Sequence, residues 1–170
     1  MKIYLAGKVS PNSHFGTAHW RDPFTQELSQ LSGLTIENLD PLAYENDRDY
    51  DPKFVFDKDC WLISQADCVV VYLSDDISVG GSQEMLIAKY LAKPLIGLAP
   101  REGKFNQSNK EILGKITKNY VDPFVFATCD VVAENIEDVA RALVDLPSEP
   151  KTISIIDQGI DRMNSGLGGK

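Results

Sequence analysis

Cys68-Val69-Val70-Val71-Tyr72-Leu73 is the stretch of sequence that decides the fold. It is apolar without alternation, a pattern typical of a strand in the middle of a parallel sheet, where both faces are buried. Residues 2–7 and 95–98 have the same apolar character, and segments with helical spacing separate the three strands. Buried strands that alternate with helices predict an α/β fold with helices on both faces of the sheet.

The same criteria, applied outward from this stretch, define the other elements. Strands are expected at residues 2–7, 34–39, 68–73 and 95–98, with a last one within residues 124–132. Helices are expected at residues 20–31, 82–91 and 137–146, from Pro52 with Asp51 as its cap, and around residues 111–118. Residues 42–50, 74–81 and 101–110 are expected to be loops. Because crossovers between parallel strands are right-handed, we expect a doubly wound sheet of five parallel strands in the order 2-1-3-4-5, in three layers.

The length and charge of the chain restrict its organisation and its partners. The 170 residues suit one domain, which we expect to span residues 1–146 and to be followed by a partly flexible tail, residues 147–170. The formal net charge of -8 repels a phosphate backbone, so a nucleic-acid polymer is not an expected partner. A small anion remains possible, because backbone N–H groups bind phosphate without lysines.

The compartment and the metal content are also predicted from composition. The sequence begins with a strand pattern and has no apolar run long enough to cross a bilayer, so we expect no signal peptide and no membrane partner. Cys60, Cys68 and Cys129 are far apart and odd in number, which favours reduced thiols in a cytoplasmic protein. His14 and His19 match no zinc spacing, and we expect neither a metal nor a cofactor.

The topology places the candidate site at the carboxyl ends of strands 1 and 3. If Ser82 is the N-cap of its helix, Glu84 lies in the first turn, where the helix dipole would lower the pKa of the carboxylate and keep it ionised. Asp59 lies about two turns into the helix that begins at Pro52. Two carboxylates at one pocket suit glycosyl transfer, in which one captures the sugar and the other manages protons.

Three glycines lie near the same edge of the sheet. Gly7 ends strand 1, and Gly80 and Gly81 precede a helix, so together they are candidates for an anion cradle. The chain has neither a G-x-G-x-x-G nor a Walker motif, which leaves the cradle unsupported by a known fingerprint. Each feature also has a purely structural interpretation: tight turns for the glycines, a helix start for Glu84 and a solvated helix face for Asp59.

In combination, these segments resemble the nucleoside 2-deoxyribosyltransferase family, which includes the related 2'-deoxynucleoside 5'-monophosphate N-hydrolases. The opening strand at residues 2–7 and the segment 59–71, with Ala66-Asp67 before strand 3, are similar to two of its blocks. Residues 80–88 look like its "G-x-x-x-E-x-G-x-A" block, and Lys93-Pro94-Leu95-Ile96 resembles the "G-K-P-V" that follows. Leu86 and Ala92 stand where the family usually has glycine.

The resemblance implies a flavodoxin-like fold and an enzyme that cleaves the N-glycosidic bond of deoxynucleosides or their 5'-monophosphates, with transfer to another base or to water. It implies that Glu84 attacks C1', that Asp59 handles the proton of the base and that Tyr4 orients Glu84. It also implies a homodimer or larger homo-oligomer in which a neighbouring subunit completes the site.

The resemblance further suggests how a phosphate would bind. The N-hydrolases have a serine at the position of Ser78, where many transferases have an acid that would repel a phosphate dianion. Ser78, Gly80 and the loop Gly7-Lys8-Val9-Ser10 therefore favour a 5'-phosphate, with Gly81 beside them, although Asp75 and Asp76 weaken this interpretation.

Two other hypotheses remain open at this point. The first is a nucleotide-sensing module that keeps the fold without turnover, suggested by the bulky Met85 and Leu86 after Glu84. The second is a flavin-binding or phosphoacceptor protein, suggested by Asp75 and Asp76 after strand 3. A phosphoacceptor domain needs an acidic pair after strand 1, where this chain has Gly7-Lys8.

Overall fold

The computed structural model describes residues 1–8, 20–44, 50–73 and 77–166 of the chain. The strands are β1 (Lys2–Ala6), β2 (Glu37–Asn38), β3 (Cys68–Tyr72), β4 (Leu95–Leu98), β5 (Asn106–Ile112), β6 (Lys115–Val121) and β7 (Val131–Ala133). The helices are α1 (Arg21–Ser32), α2 (Pro52–Gln65), α3 (Val79–Tyr90), α4 (Pro123–Thr128), α5 (Ile136–Val144) and α6 (Ile155–Asn164), with a 3-10 turn at Pro41–Tyr44.

Five of these strands form the predicted parallel sheet, in the order β2-β1-β3-β4-β7. The strand order 2-1-3-4-5 is therefore confirmed, since β7 is the fifth strand along the parallel sheet. Ile3 pairs with Cys68, and Val70 pairs with Ile96, so β1, β3 and β4 form the centre. The chain leaves β1 toward β2 on one side and reaches β3 on the other, which makes the carboxyl end of β1 the switch point.

The central strands bury both of their faces, and this produces the three predicted layers. On one face, Val70 and Tyr72 of β3 pack with α1 and α5. On the other face, Val69 and Val71 pack with α2, α3 and α4. A continuous apolar strand is required by this arrangement, because consecutive side chains point to opposite faces.

The predicted helix at residues 111–118 is wrong. β5 and β6 pair there as an antiparallel hairpin, and the predicted loop 101–110 contains the first residues of β5. Leu113 and Gly114 form the turn and both have positive φ, 51° and 76°, as a type I′ hairpin turn requires. The apolar residues 112, 113 and 116 have spacing that is compatible with a helix, but the turn reverses the chain between them.

Two further boundaries differ from expectation. α3 begins at Val79, and Ser78 rather than Ser82 is its N-cap, accepting a hydrogen bond from the Gly81 N–H at 3.0 Å. Residues 124–132 contain the last strand of the sheet only at their end, because α4 precedes it. Asp122 caps α4 by accepting from two backbone N–H groups, a local signal that favours a helix.

The chain after residue 146 makes hydrogen bonds with the body of the protein. Asp130 is paired with the buried Lys89 at 2.6 Å and also accepts a hydrogen bond from the Lys151 N–H at 2.6 Å. The Ile153 N–H donates to the Lys89 carbonyl at 3.0 Å, and α6 follows. The division after residue 146 and the partly flexible tail at residues 147–170 stay predictions, and residues 167–170 lie outside the described residues. Across the described ranges, no helix combines the length and apolar character that a membrane span needs.

Candidate active site

Tyr4 and Glu84 meet at the carboxyl edge of the sheet. Tyr4 points from β1 toward α2 and α3, and its ring is fully buried. Its hydroxyl donates a hydrogen bond of 2.9 Å to Oε1 of Glu84, which lies on the second turn of α3. The sequence-predicted pair is therefore in direct contact, although 80 positions separate the two residues.

The Glu84 carboxylate is about half ionised near pH 7. Its pKa is raised from 4.5 to about 7, chiefly by burial; the Tyr4 hydrogen bond and the charge of Arg21 lower the pKa, and the charge of Asp59 raises it. The expectation of a pKa lowered by the helix dipole is therefore wrong. Its physical reason is that α3 begins three residues earlier than expected, which moves Glu84 beyond the first turn, where the dipole acts, and into the protein.

Asp59 lies on α2 close enough to affect the same pair. Its charge raises the pKa of both Glu84 and Tyr4. The neighbouring Lys58 is buried, lies 3.8 Å from the Asp59 carboxylate and donates to the Pro41 carbonyl at 2.6 Å. The segment 57–59 is therefore not simply a solvated helix face, because its lysine ties α2 to the turn that begins at Pro41.

Packing alone requires a glycine at position 7, and the predicted role of Gly7 in an anion cradle stays a prediction. A Cβ at this position would lie 2.8 Å from the Trp20 ring, so only glycine allows the indole to approach the end of β1. The Lys8 carbonyl accepts a hydrogen bond from Trp20 Nε1 at 3.0 Å. Ser10, the third predicted binding residue of this loop, lies outside the described residues, as do Asp75 and Asp76.

The start of α3 brings the other predicted binding residues beside Glu84. The Ser78 oxygen accepts from Gly81, so its hydroxyl hydrogen is not used by the cap. A Cβ at Gly80 would lie 4.0 Å from Glu84 Oε1 and 3.8 Å from Ser78 Oγ, both ordinary contacts. Gly81 is tighter, because its Cβ would lie 3.2 Å from Ile77. Gly80 therefore leaves the approach to the carboxylate open without being needed for packing.

Arg21 is a site residue that sequence reasoning missed. It is 2% exposed, and it donates from Nε to the Leu5 carbonyl at 2.9 Å and from Nη2 to the Gly7 carbonyl at 3.0 Å. Its charge lowers the pKa of Glu84. A signal was present in the sequence, because Arg21 shares the helix face of Phe24 and Leu28, where a charged residue is unexpected.

Two other predictions concern this region. Met85 and Leu86, which had suggested a module without turnover, have different surroundings: Met85 packs in the core and Leu86 is exposed. In the described part of the chain, no group of three His, Cys, Asp or Glu residues is arranged to hold a metal ion.

Comparisons of structure place this architecture among solved proteins. A 2-deoxyribosyltransferase from Bacillus psychrosaccharolyticus superposes with a TM-score of 0.58 at 18% identity, covering 88% of this chain and 98% of its own. A 2-deoxyribosyltransferase from Leishmania mexicana gives 0.56 at 16% identity, covering 85% and 97%. The chain has the fold of these transferases.

The flavodoxin-like fold that the resemblance implied is therefore confirmed. A conserved protein from Enterococcus faecalis is also similar, with a TM-score of 0.51 at 19% identity over 98% of this chain and 99% of its own. No protein-family model and no curated protein sequence matches the chain. At these identities the likeness concerns the fold, and activity has to be argued from the site.

Proposed function

We propose that this chain belongs to the nucleoside 2-deoxyribosyltransferase family and cleaves the N-glycosidic bond of deoxynucleosides or their 5'-monophosphates. The observation that carries the proposal is the 2.9 Å hydrogen bond from the Tyr4 hydroxyl to Glu84 Oε1 at the switch point of the sheet. A buried carboxylate held by a fixed donor, with a second carboxylate near it, suits attack on a sugar carbon. The transferases that share the fold support the same class of reaction.

In the proposed reaction, the ionised Glu84 carboxylate attacks C1', the bond from C1' to the base nitrogen breaks, and its electron pair leaves with the base. Asp59 manages the proton that the departing base needs. Tyr4 holds Oε1, so the other carboxylate oxygen forms the ester. In the second step, a nitrogen of another base or a water oxygen attacks C1' and gives its proton to Asp59, while the ester bond from C1' to Glu84 breaks and its electron pair restores the Glu84 carboxylate. Both acceptors remain within the proposal.

The start of α3 supports a substrate with a 5'-phosphate. The first N–H groups of a helix have no partner inside the helix and attract anions, and α3 begins at Val79 beside the site. Ser78 retains a hydroxyl hydrogen that can be donated. We therefore propose that Ser78, Gly80 and Gly81 contact the phosphate, with Lys8 and Ser10 as the contributors from the first loop.

The activity is tested by incubation with deoxynucleosides and deoxynucleoside 5'-monophosphates, with and without an acceptor base, and by chromatography of the released or exchanged base. We expect turnover, and a loss of several orders of magnitude in Glu84→Ala because the nucleophile is removed. Gln83→Ala is the matched control, since Gln83 is the exposed neighbour on the same helix. Full activity in Glu84→Ala, or no turnover on any substrate, would contradict the proposal.

The nucleotide-sensing alternative gives a different result in the same experiment. A sensing module would bind a nucleotide tightly in calorimetry and release no base. Met85 is part of the core and Leu86 is exposed, so the feature that suggested this alternative does not obstruct Glu84.

We propose further that the chain acts as a homodimer or larger homo-oligomer in the cytoplasm. Leu113, at the tip of the hairpin β5–β6, is 98% exposed and has a φ of 51°, which is unfavourable for a leucine. Residues 101–121 hold five basic and two acidic residues in a chain of net charge -8. A basic arm with an apolar tip suits the acidic body of a second copy.

The three free cysteines fit a reducing compartment, which supports the proposed location in the cytoplasm.

A further inference from the structure

The guanidinium of Arg21 is held rigidly below the site. Its Nε and Nη2 donate to the Leu5 and Gly7 carbonyls, at and just beyond the end of β1, and its Nε lies 4.0 Å from the Asp40 carboxylate. Its carbon Cζ lies 4.8 Å from the centre of the Trp20 ring. These contacts come from four directions, so the charge cannot move without disturbing the strand that carries Tyr4.

The remaining guanidinium nitrogen of Arg21, Nη1, lowers the stability of the folded protein. Nη1 is buried, and within the ranges 1–8, 20–44, 50–73 and 77–166 it has no hydrogen-bond partner. A buried guanidinium with an unsatisfied nitrogen lowers stability, and an apolar residue would avoid the loss. Buried polar groups that lower stability in this way are expected at functional sites, where the charge serves chemistry rather than folding.

Several titratable or charged groups from neighbouring elements lie in the region of Glu84. They are Tyr4 on β1, Arg21 on α1, Asp40 before the 3-10 turn, and Lys58, Asp59 and Cys60 on α2. The charge of Asp59 favours the protonated form of Glu84, whereas the charge of Arg21 and the Tyr4 hydrogen bond favour the ionised form. Lys58 lies against Asp59 and Pro41.

We propose that Arg21 is a positioning residue whose hydrogen bonds hold the end of β1 so that the Tyr4 hydroxyl meets Glu84, and whose fixed positive charge favours the ionised form of that carboxylate. This inference rests on the proposed function, because only a nucleophile needs the ionised form. Arg21 does not contact the reacting atoms in this role. It acts through the carboxylate and through the strand.

The inference is tested without substrate by NMR titration of the protein labelled with carbon-13 at the glutamate carboxyl carbons. The Glu84 signal is identified by its absence in Glu84→Gln. We expect Arg21→Met to raise the titration midpoint of Glu84, with a gain in proton affinity on the order of tenfold, which is one pH unit. Arg21→Lys keeps the charge and should stay near the wild-type midpoint. Arg141→Met is the matched control, since Arg141 is exposed on α5, and it should leave the midpoint unchanged.

The dependence of kcat on pH provides the second readout. In Arg21→Met the acid limb of kcat against pH should move to higher pH with the NMR midpoint, whereas a structural role alone would lower activity equally at every pH. If Arg21→Met does not fold, Arg21→Gln gives the same test: it keeps an N–H donor for the strand and removes the charge, and the Glu84 midpoint should rise.

An unchanged Glu84 midpoint in Arg21→Met or in Arg21→Gln would overturn the inference. These results are independent of turnover. A chain in which the midpoints move as expected but no substrate is cleaved would refute the proposed reaction and leave the electrostatic link between Arg21 and Glu84 established.

Discussion

At the scale of single residues, the main feature is a carboxylate that is neither fully charged nor fully neutral near pH 7. Burial raises the pKa of Glu84 to about 7, although Tyr4 donates to it and Arg21 lies near. A nucleophile of this kind is reactive because little water solvates it, and the protein loses stability whenever it carries its charge. Activity and stability should therefore respond in opposite directions as pH rises.

Glu84→Gln tests this relation. The pKa of Glu84 is higher in the folded chain than its ordinary value of 4.5, so the folded state binds more protons and the wild-type free energy of unfolding falls as pH rises from about 4.5 to about 7. Glutamine keeps the acceptor for Tyr4 and does not titrate. We compare the free energy of unfolding of the variant with that of the wild type, measured by urea unfolding at pH 5 and at pH 8. From pH 5 to pH 8 this difference should shift in favour of the variant by about 1 to 3 kcal/mol. If variant and wild type differ in free energy of unfolding by the same amount at pH 5 and pH 8, the raised pKa of Glu84 is contradicted.

At the scale of elements, the first turn of α3 affects both the stability of the helix and the access to Glu84. Its first turn contains two glycines, of which Gly81 is constrained by Ile77, whereas Gly80 faces open space beside the carboxylate. A glycine within a helix costs stability relative to alanine. Gly80 therefore keeps the approach to Glu84 open but lowers the stability of α3.

Gly80→Ala should separate these two effects. The helix should gain up to about 1 kcal/mol in the free energy of unfolding, whereas the new methyl group, 4.0 Å from Glu84 Oε1, should lower kcat/KM by about tenfold or more, since small displacements at a reacting centre are costly. Gly159→Ala is the control: its Cβ would meet only the end of Arg162 on α6, so it should gain stability with no loss of activity. Equal activity of the two variants would show that substrate does not approach over Gly80.

The elements also show which features can be predicted from sequence. The parallel sheet and its order were predictable because both depend on apolar strands such as 68–73, whose burial is visible in composition alone. The hairpin at Leu113-Gly114 was not, because spacing at residues 112, 113 and 116 fits a helix and the turn depends on two positive φ angles. The contact of Tyr4 with Glu84 follows from the strand order, but the burial that raises the Glu84 pKa depends on where α3 begins. The importance of Arg21 depends on its distances from two carbonyls of β1.

At the scale of the whole molecule, apolar side chains are exposed on α2, α3, α4 and α6, on the side of the sheet that carries the site. They include Trp61, Tyr90, Phe124 and Ile160, each more than half exposed. Exposed apolar side chains can mark an interface when they form one patch. In the proposed oligomer, a second copy of the chain would cover these side chains and the hairpin tip.

Leu113→Asn tests this association. Asparagine followed by glycine is the preferred pair for a type I′ turn, so the variant should keep or raise the melting temperature of the dilute chain. It should also raise the dissociation constant of the dimer by about tenfold or more, because a central apolar contact is lost, as measured by light scattering across a dilution series. Val144→Asn is a control on α5, on the other face of the sheet. The association is contradicted if Leu113→Asn and Val144→Asn dissociate alike, or if the wild-type chain is monomeric at every concentration.

The contact between Gly7 and Trp20 has a consequence for the evolution of the chain. A side chain at position 7 would overlap the indole, and the indole in turn packs against Tyr72 and donates to the Lys8 carbonyl. While Trp20 is present, position 7 cannot take a side chain without displacing the indole or the end of β1, to which Arg21 donates its hydrogen bonds. Gly7 and Trp20 should therefore be inherited as a pair, and a lineage that loses the tryptophan becomes free to vary the glycine.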